Sequence, residues 1–93
     1  MQITQSRLFT QRVKKLTKRE KKALDKHVRK ICEHPAIGTE KKGDLHGVFI
    51  YEFKINTTQY LLSYRFRDDK LELIMIGPHE NYYRDLKQYL KSR

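Results

Sequence analysis

Residues 47–76 place the strongest constraint on what this chain can fold into. "GVFIYEFKI" sends Phe49, Tyr51, Phe53 and Ile55 to one side and Val48, Ile50, Glu52 and Lys54 to the other. After the polar turn "NTT", "QYLLSYRF" alternates again, with Tyr60, Leu62, Tyr64 and Phe66 opposed to Leu61, Ser63 and Arg65. A second turn, "RDD", leads into "KLELIMI". Period-two alternation marks half-buried strands, because successive side chains leave a strand on opposite faces. Three such runs joined by tight turns make an antiparallel meander. The aromatic side packs on the rest of the chain. The opposite side then shows Glu52, Lys54, Ser63 and Arg65 to solvent.

The segments around this meander read as helices. "SRLFTQRVKKL" spaces Phe9, Val13 and Leu16 along one narrow apolar stripe. "LTKREKKALDKHVRKICEHP" opens with Thr17 followed three residues later by Glu20, the capping-box pattern, and lines one face with Leu24, Val28 and Ile31. Pro35 ends that helix, because the residue before a proline is pushed out of the α region. "MQITQS" is compatible with a short opening strand. "GP" at Gly77–Pro78 breaks the chain before a last helix from about His79 to Lys91. The expected order is β-α-α-β-β-β-α, a single α+β domain over residues 1–93. One sheet face is covered by helices and the other stays partly polar.

A hydrophobic fraction of 38% in 93 residues supports a modest core. The single Cys32 rules out an internal disulfide, and no cysteine or histidine cluster has zinc-ligand spacing. We therefore expect neither metal nor cofactor. With no apolar run long enough to span a bilayer and no signal-peptide pattern, the chain reads as soluble and cytoplasmic.

Charge is distributed unevenly. Residues 7–30 hold eleven Lys or Arg against Glu20 and Asp25, so this segment carries +9 of the total +10. Lys14, Lys15, Lys18, Arg19, Lys21, Lys22, Lys26, Arg29 and Lys30 form its outer surface. Such asymmetry suits a polyanion, nucleic acid above all, although a solvated lysine-rich helix face would look the same.

The stretch "GPHENYYRDLK" carries the other candidates. On a helix beginning near His79, residues His79, Tyr83 and Lys87 share a row, and Tyr82, Leu86, Tyr89 and Leu90 form the apolar row beside it. Tyr82 is thus a core residue and Tyr83 a half-exposed neighbour of His79. A helix start offers free N–H groups and a positive partial charge, which suit a phosphate and favour a neutral imidazole. An isolated histidine there is more often an ordinary surface residue. Glu52, Lys54 and Arg65 likewise read either as an acid–base and phosphate-binding surface or as plain cross-strand charge pairing.

Three segments, "KKGDLHGVFIYEFKI", "YLLSYRF" and "LIMIGPHENYYRDLK", together resemble the RelE/ParE superfamily of toxins from bacterial type II toxin–antitoxin modules. The resemblance covers nearly the whole chain and is nearest to the RelE/YafQ-like branch. It implies two N-terminal helices packed on a twisted three- to four-stranded antiparallel sheet with a C-terminal helix, the layout that periodicity gives independently. RelE-like members are ribosome-dependent endoribonucleases that cut mRNA, and ParE-like members inhibit DNA gyrase without a nuclease site.

By position, the resemblance implies that Lys54 is a catalytic lysine, that His79 stands where the family has an arginine or histidine, and that Tyr83 is the aromatic that follows. The implied roles are Lys54 and Arg65 for phosphate charge, His79 as general acid or base, Tyr83 to orient or stack the nucleotide, and Glu52 as a base. Leu61 departs from the pattern, because RelE has an arginine there and histidine-using relatives do not. Lys41, Lys42 and His46, in the loop before the meander, are expected to reach RNA. The implied partners are a cognate antitoxin with an acidic and apolar wrapping segment, the ribosome and mRNA. A gyrase inhibitor and a simple nucleic-acid-binding domain are the competing readings.

Overall fold

The structure, a computed structural model, describes all 93 residues. Its elements are β1 (Gln2–Gln5), α1 (Arg7–Lys14), α2 (Lys18–Glu33), β2 (Thr39–Glu40), β3 (Phe49–Ile55), β4 (Thr58–Arg67), β5 (Lys70–Pro78) and α3 (Tyr82–Ser92). Two short 3-10 turns, Pro35–Ile37 and Gly43–Leu45, flank β2. The α+β layout expected from the sequence is present, with one more strand. The sheet has five strands in the order β1-β5-β4-β3-β2.

The meander forms as its alternation requires. β3 pairs antiparallel with β4 from Phe49↔Tyr64 to Ile55↔Thr58, leaving Asn56 and Thr57 as a two-residue turn. β4 pairs antiparallel with β5, and Asp68 and Asp69 turn the chain with φ of 50° and 62°. Asp tolerates this left-handed region better than most residues, and two positive φ values give the hairpin twist that matches its strands.

Two features of the sheet differ from the sequence expectation. β1 joins β5 in parallel, Gln2↔Lys70 to Gln5↔Leu73, so the sheet is mixed and not wholly antiparallel. The helices α1 and α2 lie between β1 and the meander in sequence, which gives the chain length enough for a parallel return. β5 also carries a bulge, because Ser63 pairs with Met75 but Tyr64 with Leu73. Ile74 is the extra residue, so Ile74 and Met75 both contribute to the core under α3. The Ser6 hydroxyl donates to the Ile74 carbonyl and also accepts from the Phe9 N–H at 3.0 Å, which caps α1.

Helices lie on both faces of the sheet, and the face expected to stay partly polar is polar only toward its ends. α1 and α2 close one face over Phe9, Leu24, Ile31, Phe53, Ile55, Leu62, Tyr64, Leu71, Leu73 and Ile76. α3 covers part of the other, where Tyr82 and Leu86 pack with Leu45, Val48, Ile50, Leu61, Ile74 and Met75. Ser63 is therefore fully buried and not displayed to solvent. The Tyr82 hydroxyl reaches the Met75 carbonyl at 2.7 Å and Ser63 Oγ at 2.8 Å, so this polar group enters the core with partners. Burial pushes the Tyr82 phenol well above the ordinary tyrosine range.

On the other face, three tyrosines reach from the sheet toward α2 and the turn that follows it. Tyr60 donates to Glu20 at 2.9 Å, Tyr51 pairs with His27 Nδ1 at 2.7 Å, and Tyr64 donates to the Pro35 carbonyl at 2.6 Å. Each ring is apolar body with a polar tip, and each tip finds a partner where α2 passes or ends. The Thr17–Glu20 capping box is complete, with Thr17 N–H to Glu20 Oε1 at 2.8 Å and Glu20 N–H to Thr17 Oγ1 at 3.1 Å.

Candidate functional site

The pairing that builds the sheet also gathers polar side chains at one end of the α3 face. Lys54 pairs with Gln59, and the His79 N–H donates to the Gln59 carbonyl at 3.2 Å. Lys54 and His79 thus flank Gln59 on neighbouring chain segments, with their backbones roughly 10 Å apart at ordinary strand spacing. Glu52 lies one pleat back from Lys54 on the same face, and its carboxylate accepts from the Gln59 side-chain amide at 3.1 Å. Glu52, Lys54 and His79 are exposed.

The helix does not start at His79. It starts at Tyr82, and His79 sits in the bend before it, with Asn81 in the left-handed region at φ 59° as the N-cap. The expected break at Gly77–Pro78 is absent, because β5 runs through both residues, which pair with Leu61 and Tyr60. This displaces the start, and Tyr82 N–H donates to the His79 carbonyl to close the turn. The intended neighbour is nevertheless retained. The His79 and Tyr83 rings meet edge to face with centroids 6.4 Å apart. Tyr83 is half-buried, wedged edge-on against Tyr82, and Lys41 Nζ lies 5.3 Å above its ring. That distance is within the range of a cation–π contact. The backbone places Lys41 there by donating from its N–H to the Val48 carbonyl at 2.8 Å.

The result is an exposed patch holding two ammonium groups, an imidazole, a phenol and a carboxylate over an apolar floor. Leu61 is that floor: it lies between Glu52 and Gly77 in the ladder and is fully buried under α3. Such a set can bind a phosphate by charge and can both accept and donate protons.

Not every candidate gathers here. Arg65 stands six residues along β4 from Gln59, about 20 Å away at the rise of an extended strand. It shares the α3 face with Lys54 but cannot share a substrate phosphate with it. Lys42 and His46 are exposed on the loop around the second 3-10 turn. Lys14, Lys15, Lys18, Arg19, Lys21, Lys22, Lys26, Arg29 and Lys30 are all exposed, on α1, α2 and the link between them. α2 packs on the opposite sheet face, so its cationic surface and the patch around His79 lie on different sides of the molecule.

Arg12 was hidden in the cationic run, and the structure gives it a different task. Its guanidinium donates to the Ile76 carbonyl at 3.3 Å and pairs with Asp85 at 3.4 Å, tying α1 to the end of β5 and the first turn of α3. A Cβ on Gly77 would lie 2.6 Å from that guanidinium, so a larger residue there would push the Arg12 side chain out of this position. Helical periodicity carried no signal for this contact, because it spans 64 residues of sequence.

Three comparisons bear on this arrangement. Residues 3–87 match the family model of the ParE-like toxin of type II bacterial toxin–antitoxin systems. The fold is similar to the crystal structure of the intact E. coli RelBE toxin–antitoxin complex, with TM-score 0.68, 20% identity, 85% of this chain and 96% of that chain covered. It is also similar to the isolated E. coli RelE toxin, with TM-score 0.66, 19% identity, and 95% and 97% covered. No curated protein sequence matches the chain. No helix is long and apolar enough to cross a membrane.

Proposed function

The chain belongs to the ParE-like toxins of type II bacterial toxin–antitoxin systems, and from that premise we propose that it is a ribosome-dependent mRNA endoribonuclease. The observation that carries this reading is the meeting of Lys54, His79 and Tyr83, with Glu52 and Lys41, on one exposed patch. In the proposed reaction a ribose 2′-oxygen attacks the adjacent phosphorus. The new O–P bond forms as the bond to the 5′-oxygen breaks, leaving a cyclic phosphate. One group must take the 2′-hydroxyl proton and another must protonate the departing 5′-oxygen. His79 fills one of these roles and Glu52 is the candidate for the other. Lys54 and Lys41 offset the charge that builds on the phosphoryl oxygens, and Tyr83 offers an edge and face against which a base can stack.

The exposed cations of α2 and of the α1–α2 link suit a second, sequence-independent contact with ribosomal RNA. The cations of α2, on the opposite sheet face, would hold the toxin on the ribosome while the α3 face meets the message. Lys15 of the link lies beside Pro78 at the edge of the patch. A cognate antitoxin, with an acidic and apolar segment that wraps the toxin, is the partner expected to silence it. A gyrase inhibitor is the alternative, favoured by the ParE-like description of the matching family. That activity would need none of the groups around His79.

The test is a translation reaction programmed with a defined mRNA, with cuts mapped by primer extension. Wild-type protein is expected to cut the message only in the presence of ribosomes. His79→Ala should lose about 10²- to 10⁴-fold of that activity, the usual worth of a general acid or base. Because His79 is exposed, its stability should change by less than about 0.5 kcal/mol. An intact message with wild-type protein would overturn the nuclease reading and direct the work to gyrase supercoiling.

A further inference from the structure

Arg65 is a half-buried cation that its surroundings leave without a partner. Its cross-strand neighbour in the ladder is Glu72, the natural acid to pair with it. Glu72 is already taken. Arg93, at the end of α3, grips it with two parallel bonds of 2.8 and 3.0 Å. Arg65 makes no ion pair of its own, although its side chain is half-buried.

Further cations collect around it. Lys87 and Lys91, one turn apart on α3, share with Arg65 a depression of about 250 Å³, completed by Leu90 and by Asp44 of the second 3-10 turn. Three positive charges face a single carboxylate there, and none of the three is engaged in a salt bridge. Unpaired cations held close together repel one another, and half-burial of one of them adds a desolvation cost. An anion would relieve both. A planar guanidinium flanked by two ammonium groups matches a phosphate, which accepts a forked bond from arginine and point charges from lysine.

The position along α3 indicates which phosphate. Tyr83, Lys87 and Lys91 follow one another at four-residue spacing, so they line one side of the helix. Lys91 lies about 12 Å beyond Tyr83 at the rise of an α-helix. A single strand whose reacting bond sits at His79 and Tyr83, and which continues beside α3, reaches this depression a few nucleotides further on. We propose that Arg65, Lys87 and Lys91 form a second phosphate site, which holds the backbone of single-stranded RNA at a distance from the bond being cut. The proposal rests on the RNA-cleavage reading above and extends it from a reacting dinucleotide to a longer footprint.

The experiment uses fluorescent 2′-O-methyl RNA, which lacks the attacking hydroxyl and so binds without being cut. Affinity is measured by anisotropy for a trinucleotide and a nonanucleotide over a series of salt concentrations, with wild-type protein and Lys87→Gln/Lys91→Gln. Both lysines are exposed, so the double variant should keep its fold, and Arg65→Gln follows as the second variant. The wild type is expected to bind the nonanucleotide more tightly, and the variants to bring its affinity down toward that of the trinucleotide. The slope of log affinity against log salt should become shallower by at least roughly 0.7, the contribution of one neutralised phosphate on a single strand. Equal binding of both lengths by wild type overturns the second site. So does an equal loss for both lengths in the variants. If wild type still cuts mRNA on the ribosome in either case, the nuclease reading stands and only this site falls. Wild type that binds neither RNA and leaves the message intact removes both.

Discussion

The face of the sheet beneath α1 and α2 is packed over most of its length, with Phe49, Tyr51, Tyr60 and Phe66 half-buried at its margins, whereas the face beneath α3 is closed only in the middle. Length accounts for much of this difference. α2 has 16 residues and spans about 24 Å, while α3 has 11 and spans about 16 Å, against a ten-residue β4 of roughly 33 Å. The longer layer commits its aromatics to packing: Tyr51, Tyr60 and Tyr64 each end on a group supplied by α2 or its exit. The shorter layer leaves one end of its face uncovered and the other only partly covered. The first displays Glu52, Lys54, Gln59 and His79, and at the second Arg65 is half-buried beside Lys87, Leu90 and Lys91 of α3. The charged groups thus collect toward the ends of the α3 face, while the α1–α2 face is given to packing.

The largest expected effect comes from truncating one leucine on each face. Leu62 and Leu86 are both fully buried, one under α1 and α2 and the other under α3. Leu62→Ala should lower stability to urea by about 3 to 4 kcal/mol, within the range for a cavity in a packed core. Leu86→Ala should cost less, about 2 kcal/mol, because the shorter helix can settle further into the space left, and its hydrogen-exchange losses should concentrate in α3. Equal losses, with exchange raised uniformly, would show that the two faces behave as one cooperative core.

Hydroxyl deletions sharpen the same contrast at smaller size. Tyr82→Phe removes a buried hydroxyl bonded to both the Met75 carbonyl and Ser63 Oγ, which keep only their mutual bond of 3.3 Å, and should cost about 1 to 1.5 kcal/mol. Tyr60→Phe removes a bond to Glu20 at the edge of α2, where water can replace it, and should cost less than about 1 kcal/mol. Equal costs in urea denaturation would count against a drier interior under α3.

The smallest effect is a pH dependence confined to the α2 face. Burial, followed by the charges of Lys30 and Lys26, holds the His27 imidazole below its usual value near 6.5. Its ring stacks on Phe53 and bonds to the Tyr51 hydroxyl. The unfolded chain therefore takes up this proton first as pH falls, so stability is full above about 6.5 and declines as pH drops toward the lower folded-state value. Wild-type melting temperature should fall between pH 7 and 5, and His27→Gln should flatten that slope. An unchanged slope in the variant would assign the effect elsewhere.

Much of this contrast was legible in the residue pattern, because the pattern is local. Alternation in residues 49–67 assigned each side chain to its face. The capping box at Thr17, the proline after His34 and the helical spacing of Tyr82 and Leu86 placed two helices and a core tyrosine. What periodicity lacks is position along a face. It put Arg65 on the same side as Lys54 without revealing that six residues of strand keep them apart. It also left Ser63 exposed, because nothing local showed that α3 would fold over it.

The sequence by itself determined the meander, the helices, the charge asymmetry and the faces on which Glu52, Lys54 and Tyr83 stand. Only the tertiary structure decided that β1 returns parallel to β5, that Ile74 bulges toward α3, and that Arg12 lies against Gly77. It also brought Lys41 over Tyr83 and gave Glu72 to Arg93 in place of Arg65. These outcomes join residues far apart in the chain. They depend on which apolar surfaces meet and which polar groups then find partners, and no local spacing encodes that choice.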